Sequence, residues 1–156
     1  MYIFDGAMGT MLQAAGLEEG YCPELFNVER PEVVKNIHAQ YLQHGSDVIT
    51  TNTFGACGLK LEDYDLQDRV KEINIAAVKV AKEAISEFKP SARVAGSMGP
   101  TGRFLQPLGN MSFDSIYDTY REQAEALIEG GVDLIIIFRI IDVQEMRAAL
   151  LASLDA

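Results

Sequence analysis

The sequence predicts an α/β fold of parallel strands joined by helices, and three observations point to it. Short β-branched or apolar runs (Val48 to Thr51, Arg93 to Met98 and Val132 to Ile137) alternate with longer segments of helical period. The pattern Gly45-Ser46-Asp47-Val48-Ile49 recurs as Gly131-Val132-Asp133-Leu134-Ile135, each time at a helix-to-strand connection. The central run ends in a polar and aromatic tip, Asn52-Thr53-Phe54, bounded by Gly55. In parallel α/β sheets the carboxyl ends of the strands carry the ligand-binding groups, so this tip is a candidate site. A polar turn that merely closes a core strand is the alternative reading.

Taken in order, Tyr2-Ile3-Phe4 reads as a short first strand leading into Asp5-Gly6-Ala7-Met8-Gly9-Thr10. One acid followed by two glycines permits close backbone approach at the strand end. Residues 11–30 are loop-rich, with a helical turn near Met11 to Ala15. Pro31 suits the first position of a helix, whose apolar face is Val34, Ile37 and Tyr41 and which Gly45 stops. After the central strand, Leu66, Val70, Ile73, Ala77, Val80, Ala84 and Phe88 recur at spacings of four and three, giving a helix of about six turns that Pro90 ends. Arg93 to Met98 is the third strand and Gly99-Pro100-Thr101-Gly102 its exit turn. Ser112 or Asp114 caps the next helix, Gly130-Gly131 ends it, and Val132 to Ile137 is the fourth strand. Asp142 is the N-cap of a last helix. The expected architecture is therefore four βα units. A complete (β/α)8 barrel takes about 250 residues, so a chain of 156 residues accommodates half of one, or an open doubly wound sheet.

Composition narrows the function classes. The chain is 48% hydrophobic and 23% charged, which is globular. Its net charge of −10 argues against nucleic acid as a partner, because phosphate binding needs a basic face. No apolar run reaches the ~20 residues of a membrane span and no signal-peptide pattern opens the chain, so a cytoplasmic location and no membrane contact are expected. Two cysteines, Cys22 and Cys57, form neither a disulfide framework nor a CxxC pair. His38 and His44 fall on or at the end of a helix, away from the strand ends, and read as structural. The acidic stretch Glu62, Asp63, Asp65 and Asp68 reads as a solvated face. The Gly99–Gly102 turn offers backbone N–H groups to an anion, but no helix opens directly from it.

Four motifs resemble the homocysteine S-methyltransferase domain: Asp5-Gly6-Ala7-Met8-Gly9-Thr10, Pro23-Glu24-Leu25-Phe26-Asn27, Thr51-Asn52-Thr53-Phe54-Gly55-Ala56 and Gly96-Ser97-Met98-Gly99-Pro100-Thr101-Gly102. The likeness runs from Ile3 to about Ala152 and is strongest toward the N-terminal barrels of cobalamin-dependent methionine synthases. It implies the first half of a (β/α)8 barrel, that is, a half-barrel of parallel strands. The implied chemistry is methyl transfer to the thiol of homocysteine, which the family activates on a zinc held by three cysteines of later strands. Neither Cys22 nor Cys57 matches those ligands, so no cofactor is expected in this chain and zinc only in the complete domain.

By the same resemblance, Asp5, Gly6, Asn52, Thr53 and Phe54 form the cradle for homocysteine. The family also places a glutamate, followed by threonine, at the end of the fourth strand to hold the substrate ammonium. Here those positions are Phe138 and Arg139. Phe cannot pair with an ammonium and Arg repels it, so homocysteine binding is expected to be weak or lost. Two functional readings follow. In one, the chain is part of a homocysteine methyltransferase, contributes the substrate cradle and is inactive alone. In the other it is an engineered or degenerate half-barrel scaffold without catalysis. On either reading the apolar stretch Leu134 to Ile141 and the Tyr2–Phe4 stretch are open strand edges, and self-association is expected.

Overall fold

Each of the two repeated Gly-X-Asp segments starts a strand by clamping it to its neighbour. A computed structural model describes residues 1–156. Gly45 and Gly131 both adopt positive φ, +107° and +89°, a turn that side-chain-bearing residues rarely make. The aspartate two residues later then bonds the preceding segment twice. Asp47 accepts the Ile3 N–H on its carboxylate at 3.0 Å and donates its own N–H to Ile3 O at 2.7 Å. Asp133 does the same with Val94, at 2.7 Å and 2.9 Å. Lys89 adds a 2.8 Å ion pair to Asp47, which lowers that carboxyl's pKa.

Three strands follow in a parallel sheet of order β1 (Val48–Thr50), β2 (Arg93–Met98) and β3 (Leu134–Ile137). Val48 lies opposite Arg93, and Ala95 opposite Leu134. The expected first strand is corrected. Tyr2–Phe4 makes only one isolated parallel bridge, Phe4 to Val48, so the sheet has three strands and not four. The physical reason lies in the next rung: after Val48 bonds Ile3 O and Asp5 N–H bonds Val48 O, the Thr50 N–H goes to the Asp5 carboxylate in place of a backbone carbonyl, and the ladder ends there, with Tyr2, Ile3 and Phe4 60%, 51% and 42% exposed.

The helices lie where the apolar periods put them. Helices α1 (Gly9–Ala14) and α2 (Phe26–Glu29) are short pieces of the 7–30 segment, joined by a 3₁₀ turn at Pro23–Leu25. Helix α3 (Pro31–Gln43) starts at its proline and buries Val34, Ile37 and Leu42. The long helix begins later than its periodicity suggests. Gly58–Leu61 (α4) and two 3₁₀ turns precede α5 (Val70–Phe88), because Asp65 takes a left-handed φ of +58° that a continuous helix cannot contain. Helix α6 (Phe113–Gly130) is capped by Ser112, whose Oγ accepts the Ser115 N–H at 3.1 Å. Helix α7 (Val143–Asp155) is capped by Asp142, which accepts from Gln144 N and Glu145 N.

The main core lies between the sheet and α5, α6 and α7, where Ile49, Val94 and Met98 meet Val78, Tyr120, Leu127 and Ala149. Gly96 lets α6 approach, since a Cβ there would stand 3.0 Å from Leu127. A second cluster, Leu12, Phe26, Val34, Ile37 and Val80, seats the 7–30 segment on α3 and α5. No helix is long and apolar enough to cross a membrane.

Candidate functional site

The rim at the carboxyl ends of the strands is built around the tip 51–56, and the tip is held by three side chains and one backbone N–H from four other segments. Asn27 Nδ2 donates to Asn52 O at 2.7 Å, Gln123 Nε2 to Thr53 O at 2.8 Å, Gly99 N to Phe54 O at 2.9 Å and Asn74 Nδ2 to Ala56 O at 2.9 Å. Four of the six loop carbonyls, those of Asn52, Thr53, Phe54 and Ala56, are thus turned into the protein. Glu24 supplies the complementary acceptor, taking the Gly55 N–H at 2.7 Å. Glu24 is buried, and desolvation raises its pKa. Buried polar groups that are paired in this way rigidify a loop, and any one left alone is costly.

The candidate residues divide by what their side chains are bonded to. Thr53 is fully buried: its Oγ1 donates to Ser97 O at 2.8 Å and shares a hydrogen bond with Thr51 Oγ1 at 2.6 Å. Asn52 Nδ2 donates to Pro23 O at 2.8 Å. These two side chains fasten the tip to β2 and to the 23–27 segment. Phe54 lies half-buried against Phe138, ring centroids 5.2 Å apart, and covers Gly99 so closely that a Cβ there would come within 2.5 Å of its ring. Gly6 is exposed, and a Cβ on it would stand 3.0 Å from Tyr41 Oη, which donates to Ala7 O at 2.8 Å.

Asp5 has the chemistry of a ligand-binding group. It is half-buried and accepts two bonds from Thr50, N–H to Oδ2 at 2.8 Å and Oγ1 to Oδ1 at 3.0 Å. Desolvation outweighs these bonds and raises its pKa to about 6. A carboxylate oriented at both oxygens and stripped of water gains most from a cation placed beside it.

The loops after β2 and β3 complete the rim, and here the sequence reading missed a residue. The Gly99–Gly102 turn does hold an anion, and it is the protein's own: Glu145 Oε1 accepts Thr101 N at 2.7 Å, Thr101 Oγ1 at 2.7 Å and Tyr120 Oη at 3.0 Å. Gly99 O lies 2.9 Å from the same Tyr120 Oη, so the one hydroxyl proton is shared between the two acceptors. The spacing Asp142-X-X-Glu145 is a capping-box signal, but the acid turns inward to the turn instead of back to its own helix start. After β3, Arg139 is exposed at φ +62°, next to Phe138.

Matches with known proteins follow this geometry. The model of the homocysteine S-methyltransferase family matches residues 2–155. The chain belongs to the homocysteine S-methyltransferase family. Methionine synthase of Mycobacterium tuberculosis (strain ATCC 25618 / H37Rv) is 39% identical over 159 residues, covering 96% of this chain and 13% of that protein. The Mycobacterium leprae (strain TN) methionine synthase is 36% identical over the same shares. The chain therefore spans about an eighth of the length of these relatives. Among solved structures, the homocysteine methyltransferase MmuM of Escherichia coli in its oxidized form superposes with a TM-score of 0.81 at 26% identity, covering 100% of this chain and 60% of that one. Its metallated form also gives 0.81, and its apo form gives 0.74 at 25% identity.

Family membership raises the question of zinc. No group of three or more His, Cys, Asp or Glu residues is gathered to hold a metal. Cys22 donates to Glu24 Oε2 at 3.4 Å, and burial pushes both it and Cys57 up to about 12, which keeps them as thiols. Neither cysteine belongs to a gathered set of ligand-type side chains, so the residues present do not assemble a zinc site. The histidines stay apart from the rim: His38 is buried in α3 and His44 is exposed at its end.

Proposed function

We propose that this chain forms the amino-acid-binding end of a homocysteine S-methyltransferase, with its three strands and the Phe4 bridge in the first four positions of a (β/α)8 barrel. The observation that carries the reading is Asp5: a desolvated carboxylate, held at both oxygens by Thr50, on the rim that the 51–56 tip shapes. Asp5 takes the ammonium of homocysteine and Phe54 lies against its aliphatic part. The thiol is activated by groups outside this chain, since none of its residues gathers as metal ligands.

A second reading, a scaffold that keeps the fold without catalysis, draws on Phe138 and Arg139. They place an aromatic ring and a positive charge where the family carries the ammonium-binding acid, and Phe138 packs on Phe54. One experiment separates the two. Homocysteine is titrated calorimetrically into the chain, into Asp5→Asn, and into Phe138→Glu with Arg139→Thr. The cradle reading expects weak binding that Asp5→Asn abolishes. It also expects the double variant to tighten binding by roughly 10- to 100-fold, the value of a charge-assisted hydrogen bond of about 1.5–3 kcal/mol. No heat from any of the three forms would favour the scaffold.

A further inference from the structure

We propose that Glu145 is a positioning residue for the rim: from α7 it fixes the exit turn of β2, and through Gly99 it sets the place of Phe54. Its Oε1 is the meeting point of three donors, the Thr101 N–H and Oγ1 and the Tyr120 hydroxyl. All three residues are buried, Glu145 at 3% exposure and the other two at 0%. Glu145 takes part in none of the chain's ion pairs. A buried carboxylate that meets only neutral donors is a poor source of stability, because apolar packing of the same volume serves as well or better. What the charge does supply is direction, a single oxygen that aligns donors from the turn and from α6.

The turn passes that alignment to Phe54. Gly99 is held at both of its backbone groups: its O faces the Tyr120 hydroxyl at 2.9 Å, and its N–H donates to Phe54 O at 2.9 Å. The Phe54 ring lies over Gly99, where a Cβ would come within 2.5 Å of it, so ring and turn cannot shift independently. Burial, and after it the Glu145 charge, raise the Tyr120 pKa, which keeps its hydroxyl a donor. Thr101 Oγ1 also accepts the Arg103 N–H at 3.2 Å, which carries the lock one step along the loop. A path of direct contacts thus runs from Glu145 through Tyr120 and Gly99 to Phe54. That Phe54 then meets the aliphatic part of the substrate rests on the cradle reading above; the path itself does not.

Amide hydrogen exchange of the 156-residue chain, followed residue by residue by NMR, tests the path without substrate. The Gly99 N–H reports the bond to Phe54 O, while the Thr51 and Asp133 N–H groups, bonded to Ala95 O and Val94 O, report the sheet. Glu145→Ala should speed exchange at Gly99 by about tenfold or more and leave Thr51 and Asp133 within about twofold, the signature of a local opening. Sodium formate, a carboxylate small enough for the space the side chain leaves, should restore Gly99 protection, and sodium chloride at equal ionic strength should not. Should Glu145→Ala fail to fold, Tyr120→Phe keeps the ring and the carboxylate and is expected to speed Gly99 in the same selective way. An unchanged Gly99 rate, a rise shared equally by all three amides, or formate without effect would overturn the proposal. Gly99 exchange decides it whether or not homocysteine binds, so failure of the cradle reading, seen as no heat in the titration, is distinct from failure here.

Discussion

His38 should make this fold sensitive to mild acid, by an amount that the structure sets. Its ring is fully buried in α3, neither nitrogen has a hydrogen-bond partner, and burial alone lowers its pKa from the ordinary 6.5 to about 4. Above pH 6.5 the ring is neutral in both folded and unfolded chains and contributes no pH dependence. Between 6.5 and 4 the unfolded chain takes up a proton that the folded chain refuses, so stability falls as pH falls. The 2.5-unit gap at 1.36 kcal/mol per unit amounts to about 3 kcal/mol by pH 4. Asp5 and Glu24 act oppositely: their raised pKa values mean the folded chain holds protons longer, a stabilisation present in acid and lost as pH rises. The wild-type curve alone therefore mixes signs, and the informative quantity is the difference from His38→Leu. Urea denaturation followed by circular dichroism from pH 7.5 to 4.5 measures it. The variant should be more stable at pH 7 by about 1–3 kcal/mol, since it removes unpaired buried nitrogens, and its advantage should widen steadily below pH 6.5. Parallel curves for the two proteins would refute the argument.

Two further substitutions probe the rim. Glu145→Gln keeps the shape but removes the charge that accepts from Thr101 and Tyr120, and should cost about 1.5–3 kcal/mol in urea unfolding free energy. Gly99→Ala drives a methyl into the Phe54 ring and should cost about 1–3 kcal/mol. Part of that loss should return in Gly99→Ala combined with Phe54→Ala, a positive coupling that a double-mutant cycle reads directly.

Local rules made much of the fold legible. β2 begins and ends where its apolar run does, Asp142 and Ser112 cap the helices they precede, and Pro31 opens α3. The misses have tertiary causes. Tyr2–Phe4 has strand-forming residues, but the Asp5 carboxylate takes the Thr50 N–H that would extend its ladder, and Asp65 breaks a helical period through a backbone turn that apolar spacing does not register. At the site, the motif around Thr53 was readable, yet its hydrogen bonds reach Ser97 and Gln123, 44 and 70 residues away. Contacts of that separation leave no local trace. Glu145 shows the limit most clearly, because its spacing signals one task and its position gives it another.

The aspartate clamps are spaced in a way that divides the sheet. One joins the Tyr2–Phe4 segment to β1 and the other joins β2 to β3, both at the strand starts. The seam between β1 and β2 is fastened at its far end, where Thr51 and Thr53 bond Ser97. The seam between Tyr2–Phe4 and β1 is locked at its far end as well, where Thr50 donates twice to the Asp5 carboxylate. Sliding any strand by one residue would break a side-chain lock as well as turn its apolar face outward.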